Sequence, residues 1–351
     1  MKIQIAKTED EIKGLGSEVD NFVLAVSDNG GSEFIQSSCW AKVMSLEESV
    51  NCISIKDSEY NILLSSYFLN RSLTKNASFL RYLYLPRGPL FAKGKSEDII
   101  ADYFKEIVVA LRVEYRPIFL RFEAKKEVIN SLRKMGWRIR KTVDLQPQKT
   151  LMIDLKNDLD QILSQMHQKT RYNIRLARKK GVEIKEAACL SSDKQIFEKD
   201  FADFWQLMEK TSKRDEFKIH KRNHYRNLLS GDDSKCIKLF FAEHKGKRIA
   251  AGIFSFCGNK ATYLHGASDS DYRSLMAPYL LQFEMMTRAK EKGFLFYDFF
   301  GVDKKKWPGV TRFKNGFGGY EYEYAGTYDY IYNPFLYCAY NIARRVIRYI
   351  R

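Results

Sequence analysis

Proline is scarce in this sequence, at 7 of 351 residues, and no apolar run approaches the roughly 20 residues that a membrane-spanning helix needs. The six cysteines (Cys39, Cys52, Cys189, Cys236, Cys257 and Cys338) are scattered with no CxxC pair, which argues against a disulfide scaffold and against a zinc module. A Walker loop, a GxSxG elbow and an HExxH helix are all missing. The five histidines offer one pair at helical spacing, His220 and His224, with no third His or Cys near them in sequence, so no metal is expected. The opening residues Met1 to Lys7, followed by Glu9-Asp10-Glu11, lack an apolar signal core. The expectation is a cytoplasmic protein without a leader.

What is there is globular: 45% hydrophobic and 14% aromatic residues, in a length that suits two domains of roughly 150–200 residues. The net charge of +16 is uneven, +4 over residues 1–150 and +12 over 151–351. Its densest stretch is Lys169-Thr170-Arg171-Tyr172-Asn173-Ile174-Arg175-Leu176-Ala177-Arg178-Lys179-Lys180. On a helix Arg171, Arg175 and Arg178 share a face, flanked by Lys169 and Lys179. A stripe of that kind binds phosphates of RNA or of a nucleotide-linked substrate; a solvated basic face is the plainer alternative.

The order of elements repeats with an offset of roughly 180 residues. A hairpin over 53–68 is echoed by one over 238–256 that turns at Lys245-Gly246-Lys247. Each is followed by a third strand (79–84, 261–265), an amphipathic helix (near 97–113, 278–292) and an aromatic strand (117–123, 294–300). Strand–strand–strand–helix–strand is the skeleton of a GNAT-type acyltransferase domain. The fold class expected is therefore α/β (α+β), two tandem GNAT-like subdomains with a cleft between them. The Arg/Gln-x-x-Gly-x-Gly/Ala signature of acetyl-CoA enzymes precedes neither candidate helix, so no cofactor is expected.

One further segment carries chemistry, Trp307-Pro308-Gly309-Val310-Thr311-Arg312-Phe313-Lys314-Asn315-Gly316-Phe317-Gly318-Gly319. If it is extended, it presents Arg312 and Lys314, and its glycines let backbone approach a ligand closely. A lysine there suits an oxyanion in acyl transfer; a basic loop closing a domain is the alternative.

Four separated segments, in order, resemble the Fem-type peptidoglycan bridge-forming aminoacyltransferases, the FemABX family. They are Phe34 to Lys42; Gln148 to Leu155 running into Lys169 to Arg175; Tyr263 to Glu284 around Ala277-Pro278-Tyr279; and Tyr297-Asp298-Phe299-Phe300-Gly301 with Arg312-Phe313-Lys314. The resemblance implies a first subdomain over 1–149, completed by 325–351, and a second over 150–324, of the compact type without a helical-hairpin insertion. It implies transfer of an aminoacyl group from aminoacyl-tRNA to the side-chain amine of the third stem-peptide residue of UDP-MurNAc-pentapeptide or lipid II. Lys314, after Phe313, matches the lysine that stabilises the transferring carbonyl, and Glu123 sits where an Asp occurs in relatives. Substrate contacts are implied for Trp40, Lys42, Tyr225, Tyr263, Tyr279 and either Lys221 or Arg222. The family's second lysine after Trp-Ala-Lys is missing here, where Val43-Met44 follow Lys42. The basic helix is assigned to tRNA through Lys169, Arg171, Arg175, Arg178 and Lys179.

The terminal residues 334–351 read as a helix with Leu336, Tyr340, Ala343, Ile347 and Ile350 on one side and Arg344, Arg345, Arg348 and Arg351 elsewhere. It either packs on the first subdomain or lies peripherally on an anionic membrane. A monomer is expected. The competing functions are another GNAT-superfamily N-acyltransferase and a non-catalytic RNA-binding protein.

Overall fold

The computed structural model describes residues 1–28, 30–74, 79–230 and 236–350, with only the backbone of 347–350. Arg351 and the side chains of Ile347, Arg348 and Ile350 therefore lie outside the described residues. Two compact units form: Met1–Val26 with Ile35–Gln148 and Tyr324–Arg351, and Ser27–Phe34 with Lys149–Glu323. The segment 27–34, grouped by sequence with the first half, thus belongs to the second unit. The reason is a small polar network: Asn259 Oδ1 accepts from Ser32 N (2.8 Å) and Ser32 Oγ (2.9 Å), and its amide nitrogen donates to Ser27 Oγ (3.1 Å).

From the N-terminus the chain forms β1 (Lys2–Ala6), α1 (Glu9–Ala25), α2 (Ser38–Ser45), β2 (Val50–Lys56), β3 (Ile62–Ser72), β4 (Arg81–Leu85), β5 (Leu90–Phe91), α3 (Glu97–Tyr115), β6 (Phe119–Phe122), α4 (Lys126–Lys134) and β7 (Ile139–Lys141). The second unit follows with β8 (Lys149–Asp154), α5 (Leu159–Gln165), α6 (Gln168–Lys179), β9 (Glu183–Glu186), α7 (Lys194–Asp215), α8 (Arg222–Ser230), β10 (Ile237–His244), β11 (Lys247–Cys257), β12 (Lys260–Ser268), α9 (Ala277–Glu291), β13 (Phe296–Asp298), α10 (Pro308–Asn315) and β14 (Tyr320–Glu323). The chain then returns to the first unit with β15 (Tyr328–Ile331) and α11 (Pro334–Ile350).

Local chemistry sets these boundaries. Thr8 and Glu11 form a reciprocal capping box at the start of α1, satisfying backbone N–H groups that a helix start leaves without partners. The β10–β11 hairpin turns on Lys245 and Gly246, both at positive φ, the combination that matches the twist of a two-residue loop.

The first sheet runs β1-β2-β3-β4-β6-β15-β7 with β5 against β3; the second runs β14-β8-β13-β12-β11-β10-β9. In each, an antiparallel hairpin and third strand lead through a helix to a parallel neighbour, β4 to β6 through α3 and β12 to β13 through α9. The repeated order in the sequence is therefore two copies of one GNAT-like unit. Phe104 and Leu111 of α3 fill the first core against Leu64, Leu83 and Leu120; Leu280, Met285 and Met286 of α9 fill the second against Phe240, Phe254 and Tyr297.

The returning strand β15 lies between β6 and β7. Arg121 of β6 and Asp329 of β15 form a two-pronged ion pair, 2.8 Å at each prong, with side chains 1% and 0% exposed. Tyr337 of α11 also donates to Asp329, at 2.8 Å, fastening the terminal helix to the sheet.

Candidate active site

At the end of β13 the chain turns through two residues at positive φ, Phe300 (49°) and Gly301 (92°). Asp298 holds the turn by accepting from Phe300 N (2.8 Å) and from Thr150 Oγ1 (2.5 Å), while Gly301 N donates back to Thr150 Oγ1 (3.1 Å). The other Asp298 oxygen faces Lys260 Nζ at 3.3 Å, and both side chains are buried. This geometry converges three consecutive carbonyls on one point, and Lys314 fills it. Its Nζ donates to the carbonyls of Phe299 (2.5 Å), Phe300 (3.2 Å) and Gly301 (2.7 Å).

An ammonium has three donors, and here all three are used. Burial pulls the Lys314 ammonium down to about 8, with Asp298 opposing; the carbonyls also favour the charged form. The lysine is reached through a helix, α10, with Pro308 in its first turn; the extended reading of 307–319 is overturned. Winding the segment as a helix puts Lys314 in the core and Arg312 in solvent, whereas along a strand residues two apart would share a face. The glycines after it serve the fold rather than a ligand. A Cβ on Gly318 would stand 2.5 Å from Gln165 O, and one on Gly319 2.2 Å from Met152 O, and both have positive φ.

Aromatic rings wall the ammonium. Tyr263 lies 5.8 Å below Lys314 Nζ and stacks on Phe254, while Tyr279 packs edge-on against Phe313 at 5.0 Å and stacks on Phe317. Beside them sits a histidine group that sequence spacing hid. His265 of β12 joins His220 and His224, with ring centroids 5.9 and 6.4 Å away, and Tyr225 at 4.9 Å. Burial, then the charges of His220, His224 and Lys314, push His265 down to about 3, so it is neutral at physiological pH. Among the described residues no group of three His, Cys, Asp or Glu side chains is arranged to hold a metal.

The other sequence candidates fall in different surroundings. Lys221 and Arg222 are exposed at the start of α8, with Arg222 lying over Phe201, and Tyr225 is buried three residues on. On α6, Arg171 donates to the carbonyls of Ser164 and Met166, and Arg178 pairs with Glu284 at 2.7 Å. Lys169, Arg175 and Lys179 are exposed and have no ion-pair partner among the described residues. In the first unit Trp40 is buried on α2 and Lys42 half-buried beside it. Glu123 is buried at the end of β6, accepting from Tyr84 OH (3.0 Å), Gln146 N (3.3 Å), Thr327 Oγ1 (2.8 Å) and Arg87 N (3.2 Å). Four donors already occupy that carboxylate, so in this arrangement it ties the ends of β4 and β6 to the segment leading into β15.

The structure thus brings Lys314, Phe313, Tyr263, Tyr279 and Tyr225, all named from the sequence, near His265, Thr150, Asp298 and the carbonyl cage, which the sequence did not single out. The signal for the cage was the Asp298-Phe299-Phe300-Gly301 string, whose glycine marks the turn; nothing local pointed to His265.

The chain is built of two GNAT-like units, and in the second a buried lysine closes the turn that follows the parallel strand β13. The crystal structure of FemX matches this fold with a TM-score of 0.79 at 18% identity, over 97% of this chain and 99% of that one. A tandem GNAT protein from the clavulanic acid biosynthesis pathway matches at 0.54 and 11% identity, over 94% of this chain and 98% of that one. The model of the FemAB family covers residues 15–245 and 232–345, so the chain belongs to the FemAB family and is a transferase. Among its relatives, a lipid II:glycine glycyltransferase of Staphylococcus epidermidis is 24% identical over 341 residues, 75% of this chain and 82% of that protein. One of Staphylococcus aureus is 30% identical over 142 residues, 38% of this chain and 34% of that protein.

Proposed function

We propose that this protein transfers an aminoacyl group from aminoacyl-tRNA to the side-chain amine of the third stem-peptide residue of a peptidoglycan precursor, building an interpeptide bridge. The relatives named for lipid II support the lipid-linked precursor over soluble UDP-MurNAc-pentapeptide as acceptor. The observation that carries the reading is the caged, buried Lys314 with its aromatic walls.

An ester of tRNA is already activated, so the reaction needs no enzyme nucleophile. The acceptor amine attacks the ester carbonyl, the oxygen takes up negative charge, and collapse expels the tRNA hydroxyl as the amine loses its proton. Lys314 serves the oxyanion by exchanging one carbonyl partner for it, and the Phe300 carbonyl, the most distant at 3.2 Å, is the one released. His265, held neutral with a value of about 3, adds no charge to the site and is too weak a base to keep the amine's proton, which passes to the departing tRNA oxygen. Juxtaposing two bound substrates supplies much of the acceleration. The exposed Lys169, Arg175 and Lys179 of α6 meet tRNA phosphates, and Lys221 or Arg222, exposed at the start of α8, meets the acceptor.

The test mixes the protein with tRNA charged with labelled amino acids and either lipid II or UDP-MurNAc-pentapeptide. Label in the acceptor is expected, and its identity names the amino acid. Tight tRNA binding with no transfer to either acceptor would leave a non-catalytic RNA-binding protein instead.

A further inference from the structure

The terminal helix α11 has two apolar faces, and the fold uses one. Tyr337 and Tyr340 pack on Phe119, with ring centroids 5.2 and 5.0 Å away, and Tyr337 is anchored to Asp329. The sequence had set Tyr340 with Leu336 and Ala343 on a common apolar side; the structure turns Tyr340 inward and leaves Leu336 and Ala343 exposed. The second face points to solvent. Phe335 (88% exposed), Ala339, Ile342 (58%) and Val346 (49%) recur at i, i+4, i+7 and i+11, one stripe of a helix, with exposed Cys338 alongside.

The terminal sequence carries charge of one sign. Residues 330–351 contain four arginines (Arg344, Arg345, Arg348 and Arg351) and no aspartate or glutamate. No helix among the described residues is long and apolar enough to cross a membrane, and this one is half committed to the protein. Arg345 is exposed at the edge of the stripe, and an apolar stripe edged by arginine suits the boundary between headgroups and acyl chains of an anionic bilayer. A second copy of the chain is a poorer occupant, because paired α11 helices bring no acid to meet the arginines.

We infer that α11 is a membrane-docking element: Phe335, Ile342 and Val346 insert at the surface of an anionic lipid bilayer while Arg345, exposed at the edge of the stripe, engages its headgroups. Its purpose, bringing the site to a lipid-linked acceptor, rests on the proposed reaction; the docking itself does not. The face that inserts is the one the fold leaves over, so the helix stays seated on the first unit while it docks.

The full-length protein is sedimented with vesicles of phosphatidylglycerol mixed with phosphatidylcholine, and with phosphatidylcholine alone. Pelleting with the anionic vesicles is expected, weakened by salt. The double substitution Phe335→Ser, Ile342→Ser should lower partitioning about tenfold or more, and Arg345→Glu should also lower it. Both sites are exposed, and an unchanged thermal melt shows that the variants fold. Wild-type protein that stays in the supernatant, or variants that pellet like wild type, would overturn the inference. So would a vesicle-free dimer that the same substitutions dissolve, or tRNA binding that they weaken. Transfer to detergent-solubilised lipid II should be unchanged in the variants while transfer to lipid II in vesicles falls. Vesicle binding without any transfer would sink the reaction alone and leave the docking standing.

Discussion

Lys314 donates every ammonium hydrogen to a carbonyl of its own chain, and that fixes what its replacement should do. Lys314→Met leaves the carbonyls of Phe299, Phe300 and Gly301 without their donor, a cost in unfolding free energy of about 1–3 kcal/mol for each that stays out of water. If the lysine also serves the oxyanion, transfer should fall about 10²–10³-fold. Urea unfolding and label transfer separate the two effects, and a stable variant with wild-type turnover would make the lysine purely structural. Its pKa of about 8 adds a pH signature: transfer should decline as pH rises through about 8, because the neutral amine is a weaker donor. Lys314→Arg, which stays charged, should lose that alkaline limb if it retains activity at all.

His265 gives the opposite limb. Its folded value of about 3 lies below the ordinary 6.5, so between these values the unfolded chain binds a proton that the folded chain refuses. Stability should therefore fall as pH drops from about 6.5 toward about 3. In His265→Gln that slope should flatten, read from urea midpoints across the range; an equal slope would assign the acid sensitivity elsewhere.

At the scale of elements, the joint between β6, β15 and α11 depends on one buried ion pair. Asp329→Ala strips the buried Arg121 of its carboxylate partner and should cost about 3–5 kcal/mol. Tyr337→Phe removes only a hydroxyl donor to the same carboxylate and should cost about 1 kcal/mol. Urea denaturation ranks them; similar costs would mean that the helix, not the ion pair, holds the strand. The elements themselves were largely legible. Both hairpins, both crossover helices and the aromatic strands follow from period-two and helical patterning with turn residues at Lys245-Gly246. The segment 307–319 was not, because its many glycines and single Pro308 suit a loop as well as a first helical turn. Tertiary contacts with Gln165 and Met152, which leave no room for side chains, decide that question.

For the whole molecule, the charge asymmetry becomes a measurable quantity. Replacing Lys169, Arg175 and Lys179 together by Gln should reduce the slope of log binding constant against log salt for tRNA by about 2–3 if each meets a phosphate. An unchanged slope would make α6 a solvated basic face and move the tRNA contact elsewhere.

The sequence by itself determined the tandem α/β architecture, the family resemblance and the lysine at the centre of the site. These are carried by local periodicity and by short strings whose residues act together where they stand. Only the tertiary structure decided that Lys314 is caged by carbonyls, that His265 joins His220 and His224, and which face of α11 meets solvent. Each depends on residues far apart in the chain or on the rotation of a helix against its neighbours. Hydrophobic spacing constrains that rotation only loosely when, as in α11, apolar residues lie on more than one side.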